Sequence, residues 1–157
     1  MLILSQVKEL KELKERRITM TRQEKYPNTK IFTYYNRNPH NKITGDCVTR
    51  AISFALNLDY NDLVMDIARY HCQTGVDIRY NKEDAYLKKF GVVKQPMPKH
   101  HDNTRYTLKE FIRKYPEGTY IVKMPHHLTV VKDGVNYDIW DCTKSSRKIG
   151  NFYKIDR

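Results

Sequence analysis

Apolar residues in this chain recur first at three- and four-residue steps and then, beyond Gly118, at every second position. Leu4, Val7, Leu10 and Leu13 fall at i+3 steps, with glutamates and lysines interleaved. The spacing predicts a short amphipathic helix over residues 4–17 with ion pairs on its polar face. Residues 21–44, with Pro27, Pro39 and several asparagines, read as extended and loop-rich. Val48, Ala51, Ile52 and Ala55 share one face and predict a helix from near Asp46. Leu63, Val64, Ile67, Ala68 and His71 predict a second, capped by Asp59 or Asn61 and ending before Gly75. A short helix over residues 83–90 should stop at Gly91, and residues 92–106 read as a loop. Thr107 with Glu110 is a capping box for one more helix, ending near Tyr115.

The period then changes. TYIVKM, HLTVVK and VNYDIW alternate or run β-branched, Asp133-Gly134 is a two-residue hairpin signal, and NFYKI suggests a last strand. Helices followed by an antiparallel sheet make an α+β domain. At 157 residues the chain is expected to hold one domain, residues 21–157, with residues 1–20 as a helical extension.

Composition changes this picture little. The N-terminus has a three-residue apolar start and then charges, so it reads as no secretory signal, and no run reaches the ~20 apolar residues of a bilayer span. Three cysteines, an odd number, fit free thiols in a reducing cytosol rather than a disulfide framework. The expectation is a cytoplasmic protein without membrane partners, in a host cytoplasm if phage-encoded. The net charge of +11 allows weak, non-specific attraction to nucleic acid, but no nucleic-acid-binding signature accompanies it. His71-Cys72, His100-His101 and Cys142 lack the spacing of a zinc site, so no metal or other cofactor is expected.

The candidate chemistry begins at Cys47, in TGDCVTRAI. A thiol in the first turn of a helix faces unpaired N–H groups and the positive end of the helix dipole, which favour the reactive thiolate. His127 opens the first strand of the Asp133-Gly134 hairpin. A two-residue turn pairs Lys132 with Val135, sets His127 opposite Trp140 and puts Asp138 opposite Thr129, diagonal to His127 on one face. A carboxylate there can take the imidazole Nδ1–H and hold the ring. A register change of one residue would bring in Asp141 instead, and His126 points to the opposite face.

Cysteine at a helix start within GDCVTRAI, a later strand-opening histidine and then Asp138-Ile139-Trp140 resemble the papain-like cysteine peptidase superfamily, whose type member carries Asn-Ser-Trp at the last position. The Asp46-Cys47 pair is similar to that of peptidases that cut after double-glycine leaders. GDC with Tyr-Asp-x-Trp-Asp also resembles small papain-like proteins of phages and bacteria. The resemblance spans about Asn36 to Tyr153. It implies a papain-like fold and a Cys47, His127, Asp138 triad, with Asp141 as the alternative third member. Such enzymes also carry a glutamine before the cysteine; here Asn41, six residues earlier (47 − 41), offers a shorter amide to the oxyanion hole. The implied activity is cleavage of a peptide, isopeptide or other amide bond in a peptide or protein substrate, by hydrolysis or acyl transfer. The alternative is a catalytically weak or inactive papain-like fold that binds a host protein or nucleic acid.

Overall fold

The computed structural model describes residues 2–79 and 82–156. Helix α1 (Leu2–Thr19) and a single turn α2 (Arg22–Lys25) lead into a short strand β1 (Phe32–Tyr34). Helices α3 (Cys47–Ala55) and α4 (Tyr60–Thr74) follow, then α5 (Glu83–Leu87), strand β2 (Lys94–Gln95) and helix α6 (Leu108–Lys114). Strands β3 (Thr119–Met124), β4 (His127–Lys132), β5 (Val135–Asp138) and β6 (Phe152–Ile155) complete the chain.

The caps are where side-chain chemistry puts them. Asp59 accepts the Asp62 N–H at the start of α4, and Gly75 ends that helix at φ 71°. Thr107 and Glu110 form the reciprocal capping box of α6. Leu4, Val7, Leu10 and Leu13 on α1 are exposed, so its apolar stripe covers no core.

The six strands lie in the order β1-β5-β4-β3-β6-β2. Between β4 and β5 the turn places Asp133 at φ 47° and Gly134 at φ 75°, the double left-handed geometry of a tight hairpin. Lys132 then pairs with Val135, Val131 with Asn136 and Val130 with Tyr137. Between β3 and β4, Met124 pairs with His127 across Pro125 and His126, the latter at φ 57°.

The sheet is mixed, which corrects the expectation of an antiparallel one: β1 runs parallel to β5, pairing Phe32 with Asn136 and Tyr34 with Asp138. Three residues are too few to show a period, so β1 was hidden in a polar, proline-flanked stretch. The two residues of β2, paired with β6, were hidden in the same way. Strand β5 also ends at Asp138 rather than Trp140, because the Asp138 carboxylate takes the Ile139 N–H and Asp141 caps a 3-10 turn at Cys142–Lys144.

Both faces of the central strands are covered. Ile121, Leu128 and Val130 pack with Val48 and Ile52 of α3, Leu56 at its C-cap and Leu63 of α4. Val122 and Val131 pack with Leu108, Phe111 and Ile112 of α6. Double coverage explains why β3 and β4 read as near-continuous apolar runs. Each fully buried aliphatic or aromatic side chain here contributes about 1.5–3 kcal/mol. Among the described residues no helix is long and apolar enough to cross a membrane.

Candidate active site

Asp46 occupies the N-cap position of α3, but its carboxylate makes no capping bond. It turns instead to the Arg50 guanidinium one turn along, and accepts from the Tyr60 hydroxyl (2.6 Å) and the Asn38 side chain (3.2 Å). The helix start is therefore left without a side-chain cap, and Cys47 stands in its first turn, half-buried. Arg50 is buried, and its other nitrogen, Nη2, lies 3.7 Å from Asp138 Oδ1. The helix that carries the thiol is thus tied to β5 by one buried cation between two carboxylates.

Packing of α3 on β4 brings Cys47 beside His127, near enough for each to shift the other's acidity. The other side of the ring meets Asp138: Nε2 lies 2.6 Å from Oδ2. This reverses the nitrogen assignment expected from sequence, because Nε2, not Nδ1, faces the carboxylate. Nδ1 is then the nitrogen left for the thiol. Asp138 is buried and fully engaged: Oδ2 also accepts from the Thr129 hydroxyl (2.6 Å), and Oδ1 accepts the Ile139 N–H (2.7 Å). Thr129 in turn accepts from the Asn136 amide at 2.8 Å, which leaves its own proton for Asp138. Trp140 packs against His127 with ring centroids 5.2 Å apart.

Burial alone would push the Cys47 thiol up. The hydrogen bond to His127, a backbone hydrogen bond at Leu128 and the charges of His127 and Arg50 outweigh burial and hold it below its ordinary value. Burial alone would likewise lower His127; Asp138 and then Cys47 raise it to about 9. Burial would raise Asp138, but the His127 and Thr129 hydrogen bonds and the His127 charge keep it low. All three directions favour one state: thiolate, imidazolium, carboxylate.

The remaining candidates lie elsewhere. Asp141 is buried but turned away, accepting the Thr143 N–H (3.0 Å) and hydroxyl (2.5 Å), with Lys144 at 3.5 Å. His126 is exposed in the β3–β4 turn. Asn41 is not against the thiol: it is exposed at φ 51°, accepts from the Asn36 amide, and lines neither cavity that Cys47 borders. The reason is local. Asn41 donates its N–H to Asn38 O, closing a turn that carries the side chain out to solvent.

Arg50, Thr129 and Cys142 were missed as parts of the site. Arg50 did leave a signal, being one turn after Asp46 and Cys47 on their side of the helix. Cys142 is fully buried with Sγ 3.5 Å from Asp138 Oδ2, and burial and that charge push its thiol well above the ordinary value. His127, Asp138 and Cys142 present ligand atoms within 4.8 Å of one another. Their fit to a metal is poor, since Cys142 is held as the neutral thiol and Asp138 is saturated with donors.

A cleft of about 630 Å³ opens over Cys47 and His127, walled by Val48, Met124 and Leu128, with Lys123 and the buried Glu83 at its side. The arrangement has a nucleophile, a proton carrier, an orienting carboxylate and an open approach to the thiol. No family model matches the chain, and no curated protein or solved structure matches it, so its chemistry is read from these residues alone.

Proposed function

We propose that the chain is a papain-like cysteine hydrolase acting on a peptide, isopeptide or related amide bond. The observation that carries this reading is the position of His127, bonded to Asp138 and standing beside a helix-start thiol with which it borders one cleft. The Cys47 thiolate attacks the amide carbonyl carbon, and its electron pair moves to oxygen. The uncapped N–H groups and dipole at the start of α3 favour that oxyanion. His127 gives its proton to the leaving amine as the C–N bond breaks, leaving a thioester on Cys47. Water then attacks the thioester, His127 takes a proton from it, and the acid departs with the thiolate restored. Asp138 holds the ring so that it can face the thiol and supports its positive charge throughout.

Mixed quenched-fluorescent peptides tested with the native protein and Cys47→Ala decide this reading. Turnover should vanish in the variant, and brief iodoacetamide treatment should label Cys47 ahead of Cys72 and Cys142. Undiminished turnover in Cys47→Ala, or Cys47 as the slowest of the three thiols, overturns it.

A further inference from the structure

Resting on the hydrolase reading, the side of the site that receives the leaving amine can be located. The amine departs toward the group that protonates it, which is His127. Trp140 lies against that ring. It is also one wall of a separate cleft of about 420 Å³, whose other walls include Arg22, Tyr26, Lys144 and Arg147. Lys144 and Arg147 are exposed, and Arg22 and Lys25 both lie over the Tyr26 ring, at 5.7 and 5.5 Å. Asp141, a carboxylate in this lining, is occupied by Thr143, with Lys144 beside it. Positive charge therefore remains in excess there.

The cleft over the thiol differs. There Lys123 is paired with Glu83 at 2.5 Å, and Arg79 with Asp77 at 2.6 Å. On the Trp140 side Asp141 offsets Lys144 alone, and among the described residues Arg22 and Arg147 have no carboxylate partner. An extended peptide advances ~3.3 Å per residue. Since Trp140 lies against His127 and also lines this cleft, a chain crossing Trp140 from His127 enters it within the first few residues past the scissile bond. We infer that the cleft bounded by Arg22, Trp140, Lys144 and Arg147 selects peptides bearing aspartate or glutamate on the leaving-amine side of the cleaved bond. The aromatic walls hold the backbone of that segment and the cations hold its carboxylates.

Two readouts test this. In the first, quenched peptides identical except for Asp or Lys at the second to fourth positions after the bond are compared by kcat/KM. The acidic peptide should be favoured about tenfold at low ionic strength, and the preference should shrink as salt rises. Lys144→Glu with Arg147→Glu should invert the ratio, and the milder Lys144→Gln with Arg147→Gln should bring it toward one. Lys114→Glu, on α6, should leave the ratio as it was.

In the second readout, Trp140, the single tryptophan of the chain, reports occupancy by its fluorescence in Cys47→Ala protein without any turnover. The acidic peptide should shift the emission saturably, and the Lys peptide should need about tenfold more. Equal kcat/KM for both peptides, or a preference that survives charge reversal, overturns the inference while cleavage itself upholds the hydrolase. Selective fluorescence binding with no cleavage of any peptide upholds the cleft and overturns the hydrolase. Saturation of the Trp140 signal by a single-stranded oligonucleotide at lower concentration than the acidic peptide also overturns the inference.

Discussion

In an Asp138→Asn variant, His127 keeps a partner of the same size and loses a negative charge. His127 and Asp138 side chains are 13% and 4% exposed, so solvent screens little of that charge. Burial by itself would lower the ring; Asp138 first and Cys47 second carry it from 6.5 to about 9. That rise favours the protonated ring by about 3 kcal/mol, at about 1.4 kcal/mol per tenfold change in acidity. Asp138, the larger source, accounts for roughly 2 kcal/mol of it, and a neutral amide restores about 0.5–1 kcal/mol by hydrogen bonding. The balance between the thiolate–imidazolium pair and the neutral pair should therefore shift about tenfold toward the neutral one. Site-resolved mass spectrometry after timed iodoacetamide exposure at pH 7 should show Cys47 alkylation slowed, by up to about tenfold, and kcat/KM should fall by at least as much. The amide also turns one donor toward Ile139 N–H or Thr129 Oγ1, so urea unfolding should show a loss of about 1–3 kcal/mol. Unchanged Cys47 alkylation in Asp138→Asn, with the slowing found in Asp141→Asn instead, would refute this reasoning.

The pH profile of turnover should rise as the depressed Cys47 thiol ionises and fall above about 9, where His127 loses its proton. In Asp138→Asn the alkaline limb should move to lower pH, a shift that steady-state kcat/KM from pH 5 to 10 would register. Arg50→Met leaves the half-buried Asp46 and buried Asp138 carboxylates without their shared cation. A loss of about 3 kcal/mol in urea unfolding is expected, with only partial recovery in Arg50→Lys, since an ammonium cannot fork to both. Gly134→Ala meets a left-handed φ of 75° and places a Cβ 3.2 Å from Pro116 O. It should cost about 1–2 kcal/mol by the same measurement, while Gly45→Ala, with open space around it, should stay within about 0.5 kcal/mol.

The hairpin was legible because Asp133-Gly134 admits few turn geometries, and a two-residue turn fixes every pair above it. That arithmetic alone set Asp138 rather than Asp141 on the His127 face. The first turn of α3 was legible because helix period and a preceding loop bracket Cys47. What could not be read was anything made by two distant short pieces. Strand β1 has three residues and gains its identity only from β5. The Nε2 contact depends on how α3 sits on β4, which no local pattern encodes. Asn41 looked suitable by its distance along the chain, but its backbone turns it outward. Arg50 was visible as a cation one turn after Asp46 and Cys47, yet its two acceptors come from the N-cap of α3 and from β5.

Cys47 is made early in synthesis, well before the strands that bear His127 and Asp138. While the nascent chain is incomplete, the thiol has no imidazolium beside it, and α3 has no sheet to lie on. Its raised acidity therefore depends on the contacts that hold α3 against β4 and β5, Arg50 with Asp138 among them. A half-made or partly unfolded chain carries an ordinary cysteine, with a smaller thiolate fraction at neutral pH. Chemical competence and structural completion arrive together.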